Sequence, residues 1–293
     1  MRYLKISVIV SLVAAAAGLL GFGYLGHKLT AAVPAQIGAA PEWLGASSVA
    51  FDSASGSRIR GWLAIAERPK GSVVLLHGVR GNRRAMLSRA RFLIAANYSV
   101  LMIDLQGHGE SEGDRITFGH LESFDVAAAV EFMRGQTGSG SLVVLGYSLG
   151  GAAALLARPA LPIDGLIVEA VYPDIEIAVR NRLRIRIGDI ADFVASIFMN
   201  QLSWFVDVEV KDLKPMHHAP GIQYPVFVVS GALDQRTTVD DTKLLYDSLT
   251  GVKDVWLVAG AGHQNLHAFA GVAYEEKILA FISGISSDAD SQN

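Results

Sequence analysis

The pentapeptide Gly146–Gly150, with the sequence GYSLG, places a serine between two glycines at the spacing of a nucleophile elbow. An apolar run from Ser141 to Leu145 precedes it and a run of small residues from Gly150 to Ala157 follows it. This order predicts a strand, a tight turn and a helix, which would lift the Ser148 hydroxyl out of a sheet. A serine hydroxyl is a poor nucleophile at neutral pH and needs an adjacent base. Ser148 is therefore the candidate nucleophile, and a glycine-rich turn with a solvated serine is the alternative.

Two later loops carry an acid and a base that would suit such a serine. The apolar run from Pro225 to Val229 leads to Asp234, and the apolar run from Val255 to Val258 leads to His263. Active sites of open α/β sheets lie at the carboxyl ends of the strands, so both side chains are expected near Ser148. His263 would then accept the serine proton, and Asp234 would orient the imidazole and stabilise its charged form.

Each of these assignments has a structural alternative. His263 would otherwise be a loop histidine in a glycine-rich turn, and Asp234 would be a turn or helix-capping aspartate. Asp240 and Asp241 are rival acids for the same role. They fall where a helix should begin, so we expect them to cap that helix and to supply its first-turn negative charge.

A further loop follows the apolar run from Val73 to Leu76 and begins with His77. Acyl transfer needs two backbone N–H groups aimed at the developing oxyanion. Leu149, the residue after the nucleophile, would supply one of them, and Val79 in this loop would supply the other. His77 precedes the nucleophile in the chain and is interpreted as a structural residue.

The loop from Asp104 to Ser111 follows the predicted strand from Val100 to Ile103, and its glycines permit a tight loop beside the site. Neither Asp104 nor His108 is needed for catalysis, so a loop-stabilising role is expected for both.

Together these motifs resemble the α/β-hydrolase superfamily over about Phe51 to Ile285. The sequence HGVRGN at 77–82 is similar to the H-G-x-x-G-N oxyanion loop of its Bem46-like and serine-aminopeptidase-like branch, and 104–111 resembles that branch's D-x-x-G-x-G-x-S loop. The order serine, acid, histidine is also the order of that superfamily's triad. The resemblance implies an α/β-hydrolase fold. It does not select a substrate, because members include esterases, thioesterases, lipases and peptidases.

Composition sets limits on function. The chain has 293 residues, of which 51% are hydrophobic, enough for one large domain with a sizeable core. The net charge is −3 and no strongly basic block is present, so a nucleic-acid partner is not expected. The absence of cysteine excludes disulfides, cysteine-based metal sites and a thiol nucleophile. The proposed triad requires neither a metal nor a cofactor, and the oligomeric state stays open.

The first 28 residues form a segment of different character. Arg2 and Lys5 precede an uncharged stretch from Ile6 to Gly26, and about 20 apolar residues suffice to span a bilayer core of about 30 Å. We expect an uncleaved transmembrane anchor over residues 1–28, with the N-terminus in the cytoplasm and the catalytic domain outside it. A signal peptide cleaved between Ala31 and Ala40, which would give a secreted or periplasmic protein, and a buried core helix are the alternatives.

The rest of the chain divides into a linker over residues 29–45, a catalytic domain over residues 46–285 and a polar tail over residues 286–293. Alternating strand and helix patterns predict a mostly parallel sheet with helices on both faces, preceded by a hairpin from Ala46 to Ala66. The pattern breaks over about residues 173–224, where a small helical cap is expected. That cap would shape an apolar acyl pocket, near a membrane surface if the anchor is present. Alternatively, it is a helix pair packed on the sheet with solvated arginines.

These observations predict a serine hydrolase that cleaves a carboxylic ester or related acyl bond of a small molecule. An amidase or aminopeptidase with the same triad is the first alternative, and it would need a site for a chain terminus. Arg80, Arg83 and Arg84 could bind a terminal carboxylate, or they could form a solvated helix start. The second alternative is a catalytically silent, membrane-tethered binding module.

Overall fold

The structure, a computed structural model, describes residues 26–138 and 140–290, together with residues 18, 21, 23 and 24. The strands are β1 (Val33–Pro34), β2 (Ser47–Asp52), β3 (Arg58–Ala64), β4 (Gly71–Leu76), β5 (Tyr98–Asp104), β6 (His108–Gly109), β7 (Leu142–Tyr147), β8 (Gly165–Glu169), β9 (Val226–Gly231) and β10 (Lys253–Val258). The α-helices that follow β1 are α1 (Leu87–Ala95), α2 (His120–Thr137), α3 (Leu149–Leu156), α4 (Ile175–Ile187), α5 (Ala191–Val206), α6 (Pro215–His218), α7 (Val239–Ser248), α8 (Leu266–Ala270) and α9 (Val272–Asp290).

Eight strands form one sheet in the order β10-β9-β8-β7-β4-β5-β3-β2. The strands from β10 to β5 pair in parallel, whereas β3 pairs antiparallel with both β5 and β2. After β4 the chain adds β5 on one side of that strand and then β7 on the other. The loops after β4 and β7 therefore leave adjacent strands at the carboxyl edge, where open α/β sheets bind their ligands.

Helices cover both faces of the sheet. Helices α2, α3 and α7 pack on one face and α1, α8 and α9 on the other, so the side chains of strands such as β4, β5 and β7 are buried on both sides. This explains the nearly continuous apolar runs of the central strands, because a parallel strand between two helical layers has no solvent-facing side.

The predicted α/β-hydrolase architecture is confirmed. The predicted hairpin is formed by β2 and β3, and its turn is closed by a hydrogen bond of 3.0 Å from Gly56 N–H to Ser53 O. The last helix, predicted to end at Ile285, continues to Asp290 and so includes the first part of the predicted tail. The predicted cap consists of α4 and α5, joined by a short 3₁₀ turn, followed by α6.

The predicted anchor lies almost entirely outside the described residues. Among the residues that are described, no helix has both the length and the apolar character needed to cross a bilayer. The chain is helical at residues 26–30, where Thr30 Oγ1 donates to Gly26 O at 2.9 Å.

The segment predicted as a linker is folded onto the domain, which corrects that expectation. Strand β1 pairs in parallel with β6. The N–H groups of Ile37 and Gly38 donate to Glu110 Oε1 at 2.9 and 3.0 Å, and Leu44 is buried. Sequence composition does not show these partners because they lie about 70 residues away in the loop after β5.

Candidate active site

Ser148 lies between β7 and α3 in a strained backbone conformation, with φ 51° and ψ −110°. A non-glycine residue in such a region costs about 1–3 kcal/mol, so the surrounding structure must hold it. The Ser148 N–H donates to Glu169 O at 2.7 Å, and its carbonyl accepts from Ala152 N–H at 2.9 Å. A Cβ at Gly146 would lie 2.4 Å from Gly151 N, so the close approach of strand and helix requires glycine there. The predicted elbow is therefore present.

Asp234 and His263 are in direct contact, as the sequence predicts. His263 Nδ1 lies 2.7 Å from Asp234 Oδ2, and Asp234 Oδ1 accepts from the N–H groups of Arg236 and Thr237 at 2.8 and 3.0 Å. An ionised carboxylate only accepts hydrogen bonds, so Nδ1 carries the imidazole proton and Nε2 keeps its lone pair. The pair can therefore accept a proton at Nε2.

The imidazole of His263 lies beside the elbow. Its ring centroid is 5.6 Å from that of Tyr147, the residue before the serine. Ser148 Oγ and the His263 imidazole, which both lie within the described residues, are not hydrogen-bonded to each other. Hydrogen bonds between catalytic groups often tighten only when substrate binds.

Val79, in the loop after β4, lines the same cavity as Leu149. Neither the Val79 N–H nor the Leu149 N–H has an acceptor among the residues that the structure describes. A Cβ at Gly78 would lie 2.8 Å from the Tyr147 ring, so only glycine lets the loop approach the elbow this closely. Both N–H groups can therefore donate to an oxyanion, and the oxyanion-binding role of Val79 and Leu149 stays a prediction.

Two buried histidines hold this loop in place. His77 Nδ1 is 2.8 Å from Gly78 O, and His77 Nε2 accepts from Leu105 N–H at 3.1 Å. His108 Nε2 accepts from Arg80 N–H at 3.1 Å, while Arg80 itself has a φ of 61°. Burial, with the neighbouring His108, lowers the pKa of His77 to about 3. His77 and His108 are therefore neutral supports for the Val79–Arg80 peptide, as the sequence indicated.

The pKa of His77 predicts a pH-dependent stability. Between about pH 3 and the ordinary histidine pKa of about 6.5, the unfolded state binds a proton that folded His77 does not, so stability falls as pH falls. Below pH 5.5 we expect wild type to lose about 1.4 kcal/mol per pH unit more than His77→Gln. Urea unfolding of both proteins from pH 7 to pH 4.5 measures this difference, and parallel stability curves would contradict a neutral His77.

For Arg83, the structure corrects both interpretations that the sequence allowed. It is buried, and its guanidinium pairs with Asp104 at 2.5 Å and also with Glu110. It also lies over the Trp62 ring at 4.8 Å. Arg83 is therefore neither a solvated helix residue nor free to bind a chain-terminal carboxylate. With Asp104 it links the loops after β4 and β5, the role expected for Asp104.

The rival acids cap a helix. Asp241 Oδ2 accepts from Thr238 N–H at 2.8 Å, and Thr238 Oγ1 accepts from Asp241 N–H at 3.2 Å. This reciprocal pair is a capping box at the start of α7. Asp240 lies in the first turn of the same helix.

A buried cluster that the sequence analysis missed lies beneath the elbow. Arg89 pairs with Glu169 at 2.5 Å, donates to Asn265 Oδ1 at 3.0 Å and lies 3.2 Å from the Tyr274 hydroxyl, which also contacts Glu169. Glu169 is the residue whose carbonyl holds Ser148 N–H, and Asn265 lies two residues after His263. The cluster therefore connects the nucleophile turn to the histidine loop. No motif marks it, because its members come from four separate segments.

Above the elbow is a cavity of about 320 Å³ whose wall includes Ser148, Leu149 and Val79. The cap contributes one face of α4 and two residues of α5, Val194 and Phe198. Leu29, from the segment before β1, completes part of the wall. The cap thus shapes the space over the serine, as one of the two sequence interpretations expected.

Known proteins share both the sequence motifs and the fold. The family described as serine aminopeptidase, S33, matches residues 67–204, which include the loop after β4 and the elbow. The esterase Pf2001 of Pyrococcus furiosus superimposes with a TM-score of 0.71 over 86% of this chain and 97% of its own, at 19% identity. The chain therefore has the α/β-hydrolase fold, and slightly less than half of it matches that family model. It is 23% identical to the uncharacterised protein YqkD of Bacillus subtilis over 81% of this chain and 79% of that one. It is also 31% identical to human monoglyceride lipase, over 32% of each chain.

Proposed function

We propose that this α/β-hydrolase is a serine hydrolase that cleaves a carboxylic ester or a related acyl bond. The observation that carries the proposal is the contact of 2.7 Å between His263 Nδ1 and Asp234 Oδ2 beside the strained turn at Ser148. Similarity to human monoglyceride lipase over a third of the chain supports an ester substrate. Of the three arginines considered for binding a chain terminus, Arg83 is unavailable, because its guanidinium is buried in an ion pair with Asp104.

In the proposed reaction, Ser148 Oγ attacks the acyl carbon as its proton moves to His263 Nε2. The carbonyl π bond opens, and the N–H groups of Val79 and Leu149 donate to the resulting oxyanion. The oxyanion then re-forms the carbonyl, the bond to the leaving group breaks, and the imidazolium returns its proton to that group. Water, deprotonated by the same imidazole, hydrolyses the acyl-enzyme. Asp234 stays ionised and stabilises the imidazolium in both halves.

A fluorophosphonate probe tests the proposal, because it reacts with serines that have both a base and an oxyanion site. We expect one equivalent of probe to bind, and peptide mass spectrometry should place it on Ser148. Ser230 is the internal comparison, because it is also a buried serine but lies within strand β9 and not in a turn after a strand, so it should not be labelled. Label on another serine would overturn the assignment, and absence of label on the folded protein would favour a silent binding module.

We also propose that the uncharged stretch from Ile6 to Gly26 anchors the protein in a membrane, with the catalytic domain on the non-cytoplasmic side. Support comes from the length of the stretch and from Arg2 and Lys5 before it. Cleavage after Pro34 would remove β1, and cleavage after Gly38 would also remove the N–H groups that bind Glu110, which are parts of the folded domain.

Carbonate washing of membranes tests this anchor. The full-length chain should stay in the membrane fraction, whereas a truncated chain that begins at Gly26 keeps Leu29 and β1 and should be released. External protease should reach the catalytic domain only from the non-cytoplasmic side. A soluble mature protein that begins between Ala31 and Ala40 would identify a cleaved signal peptide instead.

A further inference from the structure

The cavity over Ser148 has an unusual charge for this protein. The cavity is lined by four arginines: Arg80, Arg182, Arg186 and Arg236. Among the described residues, no aspartate or glutamate lines it. The whole chain has a net charge of −3, so this concentration of positive charge does not reflect overall composition. The remaining wall is largely apolar. A ligand that complements this cavity therefore combines an apolar part with a negative charge.

Helix α4 directs this charge into the cavity. Six of the seven α4 residues that line the cavity follow helical spacing along one face of the helix, and the seventh is Ile185; the six are Ile175, Ala178, Val179, Arg182, Leu183 and Arg186. Arg182 is half-buried on this face, and its Nη1 donates to Ala178 O at 3.0 Å in its own helix. No carboxylate forms an ion pair with it within the described chain. Burial lowers the pKa of the Arg182 guanidinium.

Arg236 brings a second guanidinium to the same wall from the catalytic loop. Its backbone N–H donates to Asp234 Oδ1 at 2.8 Å, so its position is tied to the acid–histidine pair. Its side chain also forms no ion pair with a carboxylate in the described part of the chain. Several arginines away from the cavity do have acidic partners: Arg89 with Glu169, Arg134 with Asp164, and Arg184 with Asp192.

We propose that Arg182 and Arg236 bind an anionic oxygen group of the substrate, a carboxylate or a phosphate, while its apolar chain lies along α4 and its acyl carbon reaches Ser148. A guanidinium binds either group through two parallel hydrogen bonds, and neither the half-buried Arg182 nor the exposed Arg236 must first break an ion pair with a carboxylate to offer them. This inference rests on the proposed serine hydrolase and defines its substrate class as esters that carry a negative charge on an apolar chain.

Matched substrates test the inference on the full-length protein. The mono-4-nitrophenyl ester of suberic acid has an eight-carbon acyl chain that ends in a carboxylate, whereas 4-nitrophenyl octanoate has the same chain without it. We expect wild type to prefer the anionic ester in kcat/KM by at least about tenfold. Arg182→Gln should reduce this preference by about tenfold to a hundredfold, mainly through KM, since one hydrogen-bonded charged contact is lost. Arg182→Lys should reduce it less.

Arg184→Gln is the matched control, because Arg184 lies on the same helix and pairs with Asp192 away from the cavity. It should leave the preference between the two esters as in wild type. Equal kcat/KM values for the two esters in wild type would overturn the inference, as would an equal loss of preference in the Arg184 and Arg182 variants.

A binding measurement separates this inference from the proposed reaction. In the Ser148→Ala protein, calorimetry with monomethyl suberate and with octyl phosphate should show which oxygen group binds, and Arg182→Gln should weaken that binding at least tenfold. Failure of both ligands to bind would overturn the anion site even if Ser148 reacts with the fluorophosphonate. Binding without any reaction at Ser148 would leave the anion site standing and remove the hydrolase proposal.

Discussion

Replacement of Ser148 by Ala is expected to lower kcat for 4-nitrophenyl esters by about 10⁶-fold, since removal of a triad serine costs about that much in subtilisin. The variant loses Oγ, the atom proposed to form the acyl-enzyme. The N–H groups of Val79 and Leu149, the proposed oxyanion donors, are unchanged, so a residual rate above the uncatalysed reaction should persist. Stopped-flow and steady-state release of 4-nitrophenol measure both effects.

The fold should survive this change. The turn at Ser148 is held by backbone groups, since its N–H donates to Glu169 O and its carbonyl accepts from Ala152 N–H, and alanine keeps both. Its free energy of unfolding should therefore stay within about 0.5 kcal/mol of wild type, as for substitutions outside the strongly destabilising classes. A folded Ser148→Ala protein that still hydrolyses esters at more than a thousandth of the wild-type kcat would exclude Ser148 as the nucleophile.

Local sequence patterns predicted the parts of the site that depend on strand ends. The apolar runs before Ser148, Asp234 and His263 place each residue just after a strand of one parallel sheet, and parallel strands bring their carboxyl ends to one edge. The requirement for glycine at positions 146 and 78 also has a local cause, because a side chain at either position would collide with the elbow. The sequence predicts these features because each depends on only a few consecutive residues.

Features that depend on contacts between distant segments were not predicted. Arg83 looked like an exposed helix residue, but its partners Asp104 and Glu110 lie more than 20 residues later and remove it from solvent. Glu110 likewise orders the segment at Ile37 and Gly38, which by composition alone resembles a linker. In each case a charged side chain decided the local structure through a partner far along the chain, and the identity of that partner could be known only from the fold.

The cap shows the same limit. Alternation of charged and apolar residues over 180–186 indicated an amphipathic helix, but not which face meets the cavity. Arg182 faces inward and Arg184 outward because they are about 200° apart on a helix with 3.6 residues per turn. The packing of α4 against α5 selects between those faces, and that packing is set by apolar residues spread over both helices.

Asp234→Asn is expected to lower kcat by about 10⁴-fold, the loss seen for the equivalent change in a trypsin-type triad. The geometry gives the reason. Two N–H groups, from Arg236 and Thr237, point at Oδ1 and will retain an oxygen there. The new amide NH₂ must then face His263 Nδ1, which becomes an acceptor and moves the imidazole proton to Nε2. That tautomer cannot accept the proton of Ser148.

Asp241→Asn is the matched control, because it makes the same chemical change at an acid that caps α7. It should cost about 1 kcal/mol of stability and leave kcat near wild type. The Asp234 variant should instead keep its fold and its KM while the rate falls, and its remaining activity should rise with pH as hydroxide replaces the missing base. If the Asp241 variant lost activity and the Asp234 variant kept it, the helix cap would be the catalytic acid and the contact of 2.7 Å with His263 would be structural only.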